Sequence, residues 1–226
     1  MAKQHGMAGE WARVRGMVLS LWPLFLSAAV SGAFFASLLL GSHAWLFGSL
    51  LVASLISLLA YWKKGLRRVE SFFRGARGEE RVANILASLP DSYHVFNDFA
   101  ACGDRVDHVV AGPSGVFSVE TKCWQGRVEI VEGHILVNGV LPSRDPVLQT
   151  QREADKVRAA IRKIGFEVTV VPVVCFASDT FADGVAQCGS VKIVNAGMIA
   201  EWFASQPDAI APDELERLVR LLETGR

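Results

Sequence analysis

The sequence predicts an α/β domain preceded by a two-helix transmembrane hairpin. Three observations carry that expectation. From Gly16 to Trp62 no Asp, Glu, Lys or Arg occurs. From Tyr93 onward, short runs rich in Val, Ile and Phe alternate with Gly-, Pro- and Asn-containing turns, the pattern of strands. Between and around them lie stretches with apolar residues at helical spacing, such as Val82, Ile85, Leu86 and Leu89.

The chain has 226 residues, enough for one ordinary domain and an additional element. Formal net charge is zero, but residues 1–74 hold 8 Lys/Arg against 2 Asp/Glu and residues 75–226 hold 15 against 21. Basic charge therefore flanks the apolar stretch while the folded domain is acidic, which excludes nucleic-acid binding driven by overall field and leaves only a local basic surface for it. Cys102, Cys123, Cys175 and Cys188 have neither CxxC nor metal-ligand spacing. They are expected to be free thiols in a reducing compartment.

Residues 1–17 are expected to form a cytoplasmic N-terminal segment carrying Lys3, Arg13 and Arg15, and residues 18–62 the membrane hairpin. Val18–Leu40 is long enough to cross a ~30 Å hydrocarbon core, Gly41-Ser42-His43 supplies a turn, and Ala44–Trp62 returns. Trp22, Trp45, Tyr61 and Trp62 fall where interfacial aromatics are expected. Positive charge at both outer ends and none in the turn predicts a cell-membrane protein with both termini and the folded domain cytoplasmic. A cleaved leader would be shorter with a less extended cationic lead; a buried helical hairpin is the other alternative. Residues 63–74 form a basic juxtamembrane linker, whose charges suit topology and anionic lipid better than DNA.

Residues 75–226 form the cytoplasmic domain. In its first helix, Gly78–Leu89, Glu79 precedes Val82 by three residues and Leu86 by seven, so it lies along the inward stripe while Glu80 is rotated away. A carboxylate on a core stripe is costly unless it is paired or ligating. Tyr93–Phe96 is an expected strand, and His94 and His108 are read as structural because no spacing gives either one a metal partner. Asp107–Lys122 then reads as a β-hairpin that reverses at Gly112-Pro113-Ser114-Gly115. Period-two alternation places Glu120 and Lys122 on one face with Thr121 on the other, and the hairpin returns that end toward Asp107. Two carboxylates and an ammonium at one end of a sheet suit a hard divalent cation.

The segments Arg74-Gly75-Ala76-Arg77-Gly78-Glu79, Val106-Asp107-His108-Val109-Val110, Gly112–Phe117, Glu120-Thr121-Lys122 and Pro146-Val147-Leu148-Gln149 resemble, in order, the nuclease-related domain family of the PD-(D/E)XK nuclease superfamily. The resemblance spans about residues 74–178 and departs from the family at Cys123, where Asn is usual. It implies a restriction-endonuclease-like mixed sheet flanked by helices, and phosphodiester hydrolysis dependent on Mg²⁺, with Mn²⁺ able to substitute. Asp107, Glu120 and Glu79 would be the metal ligands, Lys122 would orient or deprotonate water, and Gln149 would position water or phosphate. The implied partner is nucleic acid, with DNA the first expectation, and the bilayer engages residues 18–62. The alternative is an inactive nuclease fold that binds nucleic acid or a protein at the membrane.

Downstream, Arg127–Val131 and Ile135–Val137 suggest a continuing antiparallel meander. Asp145-Pro146 opens a helix to about Ile164 with a core stripe of Ala154, Val157, Ile161 and Ile164. Gln149, Arg152, Lys156 and Lys163 fall within ~60° of one another on this helix, the one coherent basic face of the domain and the expected nucleic-acid contact. Val168–Phe176 reads as a buried central strand with Pro172 suggesting a bulge or edge, Val191–Val194 as a last strand, and Ala196–Ala204 and Pro212–Leu222 as closing helices.

Overall fold

A computed structural model describes residues 1–41 and 44–224, with the side chains of 44, 60 and 63–68 outside that description. The expected turn at Ser42-His43 and the side chains of Lys63, Lys64, Arg67 and Arg68 therefore lie outside the described residues. The chain divides into two compact units, Trp11–Arg74 and a second made of Met1–Glu10 with Gly75–Arg226.

Within Trp11–Arg74, helix α1 (Glu10–Leu40) and the first part of helix α2 (Ala44–Leu86) meet in antiparallel order. Gly16 lies against Phe72, Ser27 Oγ is 2.9 Å from Ser54 Oγ, and Gly48 faces Phe34. The outward side chains are apolar, with Leu39 89% and Trp45 77% exposed. Among the described residues one helix, α1, is long and apolar enough to cross a membrane; in α2 the apolar part is only Trp45–Leu59. The second expected span is thus not an element of its own. It runs without a break through the expected linker and the expected domain helix as one 43-residue helix, because nothing between Trp62 and Leu86 is a breaker except isolated glycines.

The second unit is a seven-stranded mixed sheet covered on both faces. Its strands are β1 (Lys3–His5), β2 (His94–Ala101), β3 (Asp104–Gly112), β4 (Gly115–Lys122), β7 (Val170–Phe176), β8 (Val185–Cys188) and β9 (Val191–Asn195), in the order β1-β2-β3-β4-β7-β9-β8. The expected meander leaves this sheet: β5 (Val128–Val131) and β6 (His134–Val137) form a separate two-stranded ribbon, joined outside it by the bridge Val128↔Phe181. One face packs the end of α2 (Val82, Leu86) and helix α4 (Ile199–Ala204, through Ile199 and Phe203) on Val110 and Val119. The other packs helix α3 (Pro146–Lys163, through Ala154, Val157 and Ile161) and helix α5 (Pro212–Thr224, through Leu218 and Leu222) on Phe96, Val109 and Val116. Val109 and Val110 thus serve opposite faces, as alternation requires.

Residues 1–17, expected only to lead into the membrane, instead supply β1, which pairs in parallel with β2 (Lys3↔His94, His5↔Phe96). Asn97 fastens it by donating to Gln4 Oε1 at 2.7 Å. Pro172 sits in a central strand, not at an edge. It lies opposite Ser118 of β4 and one residue before the pairing of β7 with β9 starts, at Val173↔Lys192.

Candidate metal and nuclease site

The β3–β4 hairpin turns on Pro113-Ser114, with Gly112 paired to Gly115. A side chain at Gly112 would collide with the Tyr93 ring, 2.2 Å from the Cβ position. The ladder runs as far as His108↔Val119. One step further Asp107 would face Glu120, but there the Thr121 N–H donates to Asp107 Oδ2 at 2.8 Å. Asp107 is half-buried at the point where the two strands part. Its carboxyl is pushed well above the usual range by burial, then by Glu120 and Glu79.

Glu120 and Lys122 share a face, as alternation demands. Lys122 Nζ donates to Glu120 Oε1 at 2.5 Å and to Gln149 Oε1 at 3.0 Å. Gln149 comes from the first turns of α3, whose N-terminus is capped by Asp145 accepting from the N–H groups of Val147 and Leu148, with Pro146 at the first helical position. The Gln149 amide returns to Glu120 Oε1 at 2.7 Å.

Glu79 arrives from the last turns of α2. Gly78 permits the approach, since a Cβ there would lie 2.8 Å from Cys123 Cβ beside the end of β4. Burial first, then Glu120 and Asp98, raise the Glu79 carboxyl to about 7, against a bond from the Gly9 backbone and the charge of Lys122. The inward stripe of the sequence therefore corresponds to a real inward position.

Glu153 was not singled out from sequence. It is 8% exposed, its Oε1 accepts from Gln149 Nε2 at 2.8 Å, and its Oε2 is buried with no partner among the described residues. Burial, then Glu120, lift it to about 8. A signal did exist: Glu153 precedes the core residue Val157 by four and follows Gln149 by four, so it lies where the polar and apolar faces of α3 meet.

Four carboxylates thus crowd around one ammonium, and three of them hold their protons too tightly. Such a set is unfavourable alone and is the donor chemistry a hard divalent cation neutralises. The residues fit Mg²⁺ or Mn²⁺.

The expected basic face divides. Arg152 and Lys156 line a cavity of about 510 Å³ together with Gln149, Glu153 and two arginines from outside the helix, Arg105 and Arg144. Lys156 is ion-paired with Asp104 and Arg105 with Asp98. Lys163 is not brought to the site: it closes α3, about 21 Å along the axis from Gln149. His108, on the strand face opposite Asp107, is fully buried and held to Asn97 at 2.8 Å; burial drops it to about 3, so it is neutral. The four cysteines are free thiols.

Residues 74–177 match the family model of the nuclease-related domain. The matched region contains Glu79, Asp107, Glu120, Lys122, Gln149 and Glu153, every side chain of the cluster. The chain is also similar to an uncharacterized protein of Bacillus anthracis, 36% identical over 89 residues, covering 37% of this chain and 40% of that relative. No solved structure is significantly similar. The nuclease-related region points to a nuclease-related function.

Proposed function

We propose that the chain is a membrane-attached, Mg²⁺-dependent phosphodiesterase acting on nucleic acid, with DNA the first expected substrate. The observation that carries the reading is the convergence of Glu120, Lys122 and Gln149, from a strand and a helix, into one hydrogen-bonded group beside Asp107, which the Thr121 N–H holds, with Gln149 reaching a cavity lined by both basic and acidic side chains.

In this reading Asp107 and Glu120 hold the cation, with Glu79 and Glu153 available to it or to its waters. A bound Mg²⁺ would supply an acidified water and neutralise phosphate charge. Lys122 keeps its ammonium beside the attacked phosphorus, where it opposes the negative charge that grows on the phosphoryl oxygens. Gln149 ties Glu120 to Lys122, so the ligand and the cation keep one geometry. Arg144 and Arg152 offer exposed charge to neighbouring phosphates, contacts that position without reading sequence.

Membrane attachment through residues 18–62 rests on the outward apolar surface of the Trp11–Arg74 unit and on the topology. β1 and β2, which precede and follow the intervening segment in the sequence, are paired in one sheet. In this reading a crossing by α1 is matched by a return along α2, whose apolar stretch among the described residues is Trp45–Leu59.

The test is full-length protein in detergent, incubated with DNA and with RNA in Mg²⁺ or Mn²⁺. A protein cut at residue 75 would lose β1 and is the wrong reagent. Divalent-dependent cleavage is expected, abolished in Asp107→Ala and lowered by two to three orders of magnitude, about 10²–10³-fold, in Lys122→Ala. Cleavage that survives both substitutions would sink the assignment, and nucleic-acid binding without cleavage would point to the inactive fold.

A further inference from the structure

At the other end of the sheet, three residues that share no sequence spacing come together. His5 belongs to β1, His94 opens β2 and Glu223 lies in the last turn of α5. His94 pairs with Ala111, four residues along β3 from Asp107 and so about 13 Å from it along the strand. The fold brings them together for plain reasons. The parallel register sets His5 beside Phe96, on which its ring stacks at 4.4 Å. Period two puts His94 on the same face as Phe96. Phe96 and Leu222 belong to one apolar cluster, and the packing that holds Leu222 there delivers the adjacent Glu223.

We infer that His5, His94 and Glu223 form a second metal site, for a zinc-class transition ion, separate from the carboxylate cluster. His5 Nε2 lies 3.3 Å from His94 Nδ1. Two donors each ~2.0 Å from one tetrahedral ion are separated by about 3.3 Å. One ligand atom from each of the three residues lies within 4.8 Å of the others, and the second ring nitrogen of His5, Nδ1, is 3.5 Å from Glu223 Oε1, a contact that holds the ring beside the carboxylate. The two imidazole rings are nearly parallel, 11° apart.

Two imidazoles and a carboxylate are the ligand set of an open zinc site, with a fourth position left for water or a ligand. Two of the three, His94 and Glu223, line a cavity of about 520 Å³, so the site has an open side. The donor chemistry differs in kind from that of the carboxylate cluster. Imidazole nitrogen favours Zn²⁺, Co²⁺, Ni²⁺ or Cu²⁺, whereas all-oxygen sites favour Mg²⁺ and Mn²⁺. A bound ion would cross-link the N-terminal strand, the sheet and the C-terminal helix, segments 89 residues apart or more in sequence.

The experiment is a Co²⁺ titration of the full-length protein in detergent, with excess Mg²⁺ present to occupy the hard-oxygen cluster. One equivalent of Co²⁺ is expected to give the intense visible bands of a tetrahedral nitrogen-containing site, displaced by Zn²⁺. His94→Ala should abolish them. Glu223→Gln, at a half-exposed position where folding is not at risk, should weaken Co²⁺ binding roughly tenfold or more, as loss of even a supporting group does at metal sites. Absence of stoichiometric binding, or bands that persist unchanged in both variants, would reduce the three residues to a ring stack with an ion pair and overturn the inference.

Discussion

The two units treat apolar residues in opposite ways. In the Trp11–Arg74 unit the large side chains point outward: Phe25 is 70% exposed, Leu39 89% and Leu59 67%. In the other unit Phe96, Phe176, Ile193 and Leu218 are 0% exposed, and the surface is charged. Hydrophobicity by itself therefore says little; its periodicity says where it goes. A stripe sends it to a core, and an all-round distribution requires an apolar surrounding. Chemistry follows the same division. Every titratable group of the carboxylate cluster sits in the inward-folding unit, where low dielectric sharpens charge, and the outward unit has no charged residue from Gly16 to Trp62.

If that division holds, damage in one unit should leave the other's property intact. The largest effect is expected at the site: Lys122→Ala should lower cleavage by about 10²–10³-fold while recovery in the membrane fraction is unchanged. Leucine should then behave in two ways. Leu218→Ala, in the core, should cost about 2–5 kcal/mol by denaturant unfolding, and Leu39→Ala less than about 0.5 kcal/mol in detergent. Equal costs would break the comparison. Third, Ala29→Arg puts a charge mid-way along α1, at about 2.5–3.5 kcal/mol for a helix in a bilayer. It should shift the protein out of the membrane fraction without altering cleavage of DNA in detergent.

The smallest effect sharpens the electrostatics. Glu79 at about 7 and Glu153 at about 8, both lifted from 4.5 chiefly by burial, bind protons more tightly folded than unfolded. Their contribution is fully present below the unfolded value and is lost as pH rises through the folded values. The Tm of the metal-free protein should fall between about pH 5 and pH 8, and Mg²⁺ should restore more of it at pH 8 than at pH 5. Glu153→Gln should flatten that slope. A slope unchanged in Glu153→Gln would remove Glu153 from the cluster.

Much of the carboxylate cluster was legible because its parts are local. Alternation placed Glu120 with Lys122, the Gly-Pro-Ser-Gly turn folded them back toward Asp107, and the stripe Glu79–Val82–Leu86 turned a carboxylate inward. Glu153 escaped because, on helical spacing alone, an acid beside a core stripe reads as a surface residue. Only the neighbouring strand shows that it is buried. Lys163 failed for a related reason: angular agreement on a helix ignores distance along its axis.

The sequence by itself determined which segments are helix or strand in most of the domain, the outward apolar character of α1, and the Asp145-Pro146 start of α3. These follow from periodicity, capping and turn chemistry within a few residues. Only the tertiary structure decided that residues 3–5 complete the sheet, that α2 is continuous, that β5 and β6 leave the main sheet, and that His5, His94 and Glu223 meet. Each of these depends on which distant surfaces bury one another, and no local pattern records that choice.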